Sequence, residues 1–212
     1  ELNLTSFAKT LVLSTRYFGL HLFHCADGQI MSEDRHPSNV SHNAFGGGAG
    51  YSYYDIDNKR IQITGYSLQD GEVASRILFS YNKIDFLYQG ETVAMGYLFL
   101  ALGLTSEDGE DHIELHRFPD GRSIRLGKAD EVAAEIHTQH DSLLVILKDK
   151  TRGFDEQEII VYDPESLTEK WRWKCPRGER IWFRDHQRPQ SPQDILYIAG
   201  RAFDLQTGTI RW

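Results

Sequence analysis

The stretch RAFDLQTGTIRW, Arg201–Trp212, decides the fold. A short apolar segment leads into Asp204, a polar turn follows to Gly208, and a second segment reaches Trp212. Glycine adopts the left-handed backbone that tight turns need, and such a turn between two β-rich segments is typical of a hairpin. We interpret the stretch as a β-hairpin and ask whether it occurs once or as one copy of a repeat.

The pattern recurs upstream. The segment IIVYDPESLTEKWRW, Ile159–Trp173, places Asp163 and Trp171 41 residues before Asp204 and Trp212. Weaker copies follow the turns ADG, QDG and PDG, so that successive turns are spaced by 41 to 50 residues. Repeats of this length with several short strands each are typical of β-propeller blades.

Each copy also contains an earlier apolar strand, and most contain a variable strand before it. The apolar strands are predicted at Thr10–Thr15, Gly50–Ile56, Thr92–Leu102, Ser142–Asp149 and Asp194–Gly200, while Asn43–Gly50 is interpreted as a turn-rich connection. The sequence therefore predicts an all-β fold, a β-propeller with about five recognisable four-stranded blades. Residues 1–212 are predicted to form a single propeller domain whose turns lie near Gly28, Gly71, Gly121, Leu167 and Gly208.

The best copy resembles a known family. AFDLQTGTIRW resembles the tryptophan-docking motif of pyrroloquinoline-quinone-like propeller repeats, with Ala202, Asp204, Gly208 and Trp212 at the motif positions. Thr209 departs from it, because the motif usually has lysine there. The hairpin also resembles degenerate WD-type repeats.

The resemblance implies structural roles for the repeat residues. Glycine allows an aromatic ring to lie against bare backbone, aspartate caps the turn, and tryptophan covers the joint between neighbouring blades. The set predicted on these grounds is Asp163, Trp171, Ala202, Asp204, Gly208 and Trp212. Quinone-dependent members of the family carry a calcium-bound cofactor in six or eight blades. Because five blades are visible and the two cysteines are far apart, we predict no cofactor.

The sequence leaves two alternatives for how the blades are arranged, a closed ring or a run of blades. A five-bladed ring would close if LNLTSF, Leu2–Phe7, added a strand to the last blade. Otherwise the chain is a run of blades from a larger propeller, which is the interpretation we favour.

A basic, aromatic segment is the candidate binding surface. Lys170–Arg188, KWRWKCPRGERIWFRDHQR, has seven Lys or Arg against Glu179 and Asp185, with aromatic residues interleaved. Such a surface suits an acidic peptide or single-stranded nucleic acid. The alternative is strand alternation, with the tryptophans inside and the cations in solvent. The residues predicted to bind a partner are Arg172, Lys174, Arg177, Arg180, Trp182 and Arg184.

The net charge and the catalytic motifs that are missing disfavour several classes of function. A net charge of −8 disfavours a general nucleic-acid or anionic-membrane binder, and no apolar run is long enough to insert into a membrane. No phosphate loop, nucleophile elbow or zinc-protease motif occurs, so neither catalytic nor metal residues are predicted. The histidine pairs His21/His24 and His137/His140 would fall on opposite strand faces.

We therefore predict a non-catalytic protein-interaction scaffold that binds a protein or peptide, for example the substrate-recognition propeller of an F-box-type ubiquitin-ligase adaptor. Two alternatives stay open: a propeller enzyme with a central-channel site, either a hydrolase or a quinone-dependent dehydrogenase, and a bacterial envelope assembly scaffold. A cytoplasmic or nuclear location is favoured over a secreted or periplasmic one. Cys25 and Cys175 are expected to be reduced, buried thiols rather than a disulfide.

Overall fold

The structure is a computed structural model of the chain. It describes residues 2–7, 10–15, 19–24, 28–34, 42–46, 48–55, 60–70, 72–80, 88–106, 108–139, 142–179, 181 and 195–212. Every regular element in these ranges is a β-strand. Among the described residues there is no helix of the length and hydropathy needed to cross a membrane.

Four of the five sheets have four antiparallel strands that follow one another in chain order. We call the sheets blades I to V. Blade I comprises β1 (Leu2–Phe7), β2 (Thr10–Thr15), β3 (Gly19–His24) and β4 (Ile30–Asp34). Blade II comprises β5 (His42–Gly46), β6 (Ala49–Asp55), β7 (Arg60–Ser67) and β8 (Val73–Ser80). The meander follows directly from the short turns between consecutive strands.

The next three sheets continue the same order. Blade III comprises β9 (Tyr88–Ala94), β10 (Tyr97–Thr105), β11 (Asp111–Phe118) and β12 (Ser123–Lys128). Blade IV comprises β13 (Val132–Gln139), β14 (Ser142–Asp149), β15 (Gln157–Tyr162) and β16 (Glu169–Lys174). Blade V is described as β17 (Ile195–Ile198) and β18 (Arg201–Asp204), with an antiparallel bridge from Phe203 to Ile210. The prediction of an all-β propeller of four-stranded blades is confirmed.

The blades pack face to face, with first strands beside first strands. β5 neighbours β9, and β9 neighbours β13, so first strands lie together while fourth strands lie at the other edge of each sheet. The second and third strands carry the core: every residue of β10 and β14 is buried or half-buried, whereas β12 and β16 mix exposed and half-buried residues, with Trp171 buried in β16. Three apolar clusters fill the joints II–III, III–IV and IV–V.

The turns between third and fourth strands share one geometry. In blade IV the amide of Leu167 donates to Asp163 O at 2.9 Å, and the amide of Asp163 donates to Thr168 O at 2.9 Å. Blade V repeats both bonds from Gly208 and Asp204 at 2.8 Å. The fifth residue of the turn is left-handed in each case, with φ of +57° at Leu167 and +70° at Gly208.

Two local expectations were wrong. Thr92–Leu102 is not one strand, because a turn at Met95 and Gly96, both with positive φ, separates β9 from β10. The stretch 43–50 is not a mere connection, since most of it lies in β5 and the start of β6, where Phe45 pairs with Gly50. Of the two alternatives for ring closure, the one that needed Leu2–Phe7 in blade V is not seen in the described residues, because this segment pairs with β2 of blade I.

Candidate functional site

In the described part of the basic segment, cationic side chains form ion pairs with neighbouring acidic residues. Arg172 holds Glu169 by a forked contact, with Nε to Oε1 at 2.7 Å, and its Nη1 lies 3.5 Å from Glu158 Oε2. Lys174 Nζ lies 3.1 Å from Glu156 Oε2. These contacts hold the pKa of both Glu169 and Glu156 below its usual range. The positive charges of Arg172 and Lys174 are therefore compensated by acidic residues of β15, of β16 and of the residue just before β15.

The remaining patch residues divide into two groups. Arg177 is exposed at the turn after β16. Arg180, Trp182 and Arg184 lie outside the described residues. Trp171 points inward and Arg172 outward, so the strand alternation weighed as an alternative does occur in β16. Cys175 is a buried free thiol whose pKa is raised by burial, and Cys25 lies outside the described residues.

Trp171 bridges the joint between blades IV and V. Its indole lies on Gly208, where an added Cβ would stand 2.7 Å from the ring, and its Nε1 donates to Leu205 O at 2.8 Å. The ring stacks on Phe203 with 5.8 Å between centroids, and only 8% of Trp171 is exposed. Of the residues predicted to be structural, Trp171 and Gly208 are thus brought into direct contact.

Two aspartates order the turns on either side of this contact. Asp163 Oδ1 accepts from the amide of Ser166 at 2.8 Å, and Asp204 Oδ1 accepts from the amide of Thr207 at 2.9 Å. The contact with Arg211, followed by the Thr207 bonds, lowers the pKa of Asp204 to about 2. Ala202 is fully buried on β18.

Arg117 bridges the joint between blades III and IV, and the sequence reasoning missed it. Arg117 is 2% exposed, and its guanidinium donates from Nη1 to Pro164 O at 2.6 Å and to Glu165 O. Nε donates to Asp120 Oδ1 at 3.0 Å, and the group lies 4.6 Å from the centroid of the Tyr97 ring. The turn bonds place Arg117 where Asp163 and Asp204 stand in the next two blades.

A second unpredicted cluster lies at the joint between blades II and III. His112, Glu114 and His116 occupy alternate positions of β11, and both histidine Nε2 atoms approach the same carboxylate, at 3.0 and 2.9 Å. Phe79 of blade II packs edge-on to His116 at 4.9 Å. Burial lowers the pKa of His116, which favours the neutral ring. The pattern H-x-E-x-H on a predicted strand is the signal that could have found this cluster.

Glu91 is the titratable residue of note on the first strands. It lies on β9 with Oε2 buried, and burial raises its pKa to about 7. On the same strand the Thr92 hydroxyl bonds the Thr138 hydroxyl of β13 at 3.2 Å. Within the described ranges, no group of three or more His, Cys, Asp or Glu has an arrangement suited to a metal ion.

The face of blade V that points away from blade IV is apolar and open. Tyr197 and Trp212 lie there with ring centroids 5.6 Å apart, and they are 47% and 68% exposed. By strand register, Tyr197 and Trp212 are equivalent to Leu144 and Trp171 of blade IV. Blade V covers those two residues, which are 0% and 8% exposed. We call Tyr197 and Trp212 the open face.

Comparisons with known proteins address the fold. Neither the protein-family models nor the curated proteins give a significant match to the chain. Among solved structures, a chain from a study of two prolyl endopeptidases superposes with a TM-score of 0.54 at 13% identity, over 96% of this chain and 32% of that one. An oligogalacturonate lyase in complex with manganese gives 0.49 at 11% identity, over 96% of this chain and 61% of the lyase.

A putative TolB from Agrobacterium tumefaciens gives 0.42 at 12% identity, over 81% of this chain and 64% of the TolB chain. All three are propeller-type folds. The chain thus spans about a third of the prolyl endopeptidase and less than two thirds of the other two structures. At these identities the likeness concerns fold alone, and together with the blade geometry it identifies the chain as a β-propeller structure.

Proposed function

We propose that the chain is a non-catalytic protein-interaction scaffold that binds its partner through the open face of blade V. The observation that carries this proposal is the exposure of Trp212 and Tyr197, whose counterparts in blade IV are buried. Aromatic residues are enriched at the centres of protein interfaces because they bury a large area with little loss of side-chain freedom.

A photo-crosslinking residue at position 197 tests the proposal. We expect a saturable crosslink to protein that Trp212→Ala abolishes, since both rings belong to one surface. The matched control is the same crosslinker at Phe154, another exposed aromatic residue at 46%, on the turn before β15. Equal, unsaturable labelling at both positions would reject the open face as the binding surface.

The basic segment is proposed as a secondary contact for an acidic peptide, with Arg177 as one of its exposed cations. Because Arg172 and Lys174 already have acidic neighbours, reversing Arg177 should weaken an acidic partner more than reversing either of them. Arg177→Glu compared with Arg122→Glu, an exposed arginine on blade III, measures this in a pull-down. An F-box-type adaptor or an envelope assembly scaffold is a concrete form of this function, proposed by fold analogy alone.

Glu91 favours the enzyme alternative as a second candidate. A carboxyl group with a pKa near 7 on a first strand suits a general acid or base in a channel site. Thermal shift with Ca²⁺, Mn²⁺ and Zn²⁺ tests a channel ligand. An ion-dependent rise in Tm that Glu91→Gln removes supports this candidate, and the absence of any rise rejects an ion-dependent site.

A further inference from the structure

The joint between blades II and III contains a buried histidine that the proposed functions do not use. Register places His112, Glu114 and His116 on the same face of β11 as Phe118, which belongs to the apolar cluster of this joint. His116 is 5% exposed, and its ring packs edge-on to Phe79 at 4.9 Å and stacks on Phe118 at 6.2 Å. Its Nε2 lies 2.9 Å from Glu114 Oε2, whereas its Nδ1 has no hydrogen-bond partner among the described residues.

The pair formed by His112 and Glu114 does not offer His116 a free negative charge. Nδ1 of His112 lies 3.2 Å from the carbonyl oxygen of Glu110, which can only accept, so this nitrogen carries a hydrogen. The other nitrogen, Nε2, bonds Glu114 Oε1 at 3.0 Å, and that bond needs one proton between the two atoms. Whichever atom holds the proton, the pair has no net charge, and it does not compensate a positive charge on His116.

The other neighbours of His116 supply no counter-charge either. Within the described ranges, blade II contributes apolar side chains and tyrosines to the cluster of this joint, and β10 contributes leucines. The charged residues of β12 beside the cluster are the cations Arg125 and Lys128. Glu91 of β9 lies across Leu100 from His116, and burial raises its pKa to about 7, so that its carboxyl group is neutral in mildly acidic solution.

We propose that the joint between blades II and III is a pH-sensitive element, which is closed while His116 is neutral and opens in mildly acidic solution when Nδ1 gains a proton. In the closed joint the new N–H has no acceptor among the described residues, whereas in the open joint water solvates the charged ring. This inference is independent of the function proposed for the open face.

The direction of the pH effect follows from the burial of the ring. Burial lowers the pKa of His116 below the ordinary histidine value of about 6.5. The stability that the neutral ring provides is therefore present above about pH 6.5, and it is lost as the pH falls through the lower value of the closed joint.

Cysteine labelling on the two faces of blade III tests the proposal. Leu102→Cys places a thiol in the joint II–III beside the cluster, and Leu115→Cys places one in the joint III–IV, both at fully buried positions. The ratio of the two labelling rates at each pH cancels the intrinsic pH dependence of thiol reactivity, and peptide mass spectrometry separates these sites from Cys25 and Cys175. We expect the ratio to rise about threefold to 30-fold between pH 7.5 and pH 5, with the upper limit set by the ordinary histidine pKa.

Two variants and a matched control identify the titrating group. His116→Gln and His116→Phe should each abolish the rise, because neither side chain titrates in this range. His137→Gln on β13 alters a partly exposed histidine beside Glu135, and it should leave the rise unchanged. An NMR titration of the histidine Cε1–H signals should show that the signal missing from His116→Gln titrates below pH 6.5. A labelling ratio that stays constant to pH 5, a rise that both His116 variants retain, or a His116 signal that titrates above pH 6.5 overturns the proposal.

Discussion

The joints III–IV and IV–V have the same backbone geometry, but the larger side chain comes from opposite sides of the joint. At IV–V a large ring, Trp171, lies on Gly208 and donates to Leu205 O. At III–IV the strand position holds the smaller Ile124, and the turn position holds a buried leucine, Leu167. At IV–V a large strand residue meets a small turn residue, whereas at III–IV a smaller strand residue meets a larger turn residue. Both joints are therefore filled.

A hydrogen bond to the same turn position also crosses both joints, but its donor differs between them. Pro164 and Leu205 each follow the first residue of their turn, and both carbonyls accept a bond from the preceding blade. At IV–V the donor is the Trp171 indole, whereas at III–IV it is the buried Arg117 guanidinium. At these two joints a blade therefore requires of its neighbour a hydrogen-bond donor and a matched volume, rather than a particular residue.

The largest expected effect is that of Trp171→Ala. Removing a ring that is 8% exposed leaves a cavity and an unpaired carbonyl, and should lower the free energy of unfolding by about 3–5 kcal/mol. Trp212→Ala is the matched control, because the same residue type is 68% exposed and should cost within about 0.5 kcal/mol. Urea denaturation at a concentration where the chain is monomeric measures both. Similar losses for the two variants would contradict the assignment of Trp171 to the joint.

Gly208→Ala compares two turns of the same backbone. The new methyl would meet the indole at 2.7 Å, so overpacking adds to left-handed strain and we expect a loss of about 3 kcal/mol. Gly121→Ala has φ of +72° and open space, and strain alone should cost about 1 kcal/mol. The difference between the two isolates the indole contact. It is measured as the shift in the urea midpoint at constant m-value.

Arg117→Met tests the polar bond at the other joint. It keeps most of the side-chain volume but leaves two turn carbonyls without their donor and removes the nearest cation from Asp120, so we expect a loss of about 2–3 kcal/mol. Arg122→Met, an exposed arginine beside the same Asp120, should cost within about 0.5 kcal/mol.

The same pair predicts a pH dependence. Arg117 holds the pKa of Asp120 below its usual range, so this contribution to stability is present above the unfolded-state pKa of about 3.9 and is lost as the pH falls through the lower folded-state value. Below about pH 4 the wild type should therefore lose stability more steeply than Arg117→Met. Parallel pH profiles of the unfolding free energy would argue against the ion pair.

Leu167→Gly has the smallest expected effect, because two contributions oppose each other. Glycine relieves the left-handed strain at φ of +57°, which costs leucine about 1–2 kcal/mol. It also removes a side chain that is 7% exposed in the III–IV cluster, which costs about 2–5 kcal/mol. We expect a net loss of about 1–2 kcal/mol by thermal denaturation. A gain in stability would show that Leu167 does not fill this joint.

Sequence reasoning found what is local and missed what crosses between strands and blades. The left-handed turn at Gly208 and its 41-residue relation to Leu167 depend on short-range patterns, which a single sequence shows directly. The contacts of Arg172 with Glu158 and of Lys174 with Glu156 depend on the register of β15 and β16, which contains a bulge at Val161/Tyr162. Counting charges along the segment therefore overestimated its positive charge.

Arg117 was missed for a different reason. Its turn reads as a weak copy because arginine stands where the other two copies have aspartate, and aspartate follows three residues later. The turn is still closed by a side-chain contact, because the contact between Arg117 and Asp120 takes the place of the contact between Asp204 and Thr207. Only the position of Pro164 O in the next blade reveals why a cation belongs there.

A double-mutant cycle on Trp171 and Gly208 tests the central claim most directly, namely that the joints III–IV and IV–V match the volume of a strand residue to that of a turn residue. Gly208→Ala should cost about 3 kcal/mol in the wild type and about 1 kcal/mol in the Trp171→Ala background, where only strain remains, a coupling of about 2 kcal/mol. Costs that agree within about 0.5 kcal/mol in both backgrounds would mean that the two residues do not share the joint, and would contradict the account.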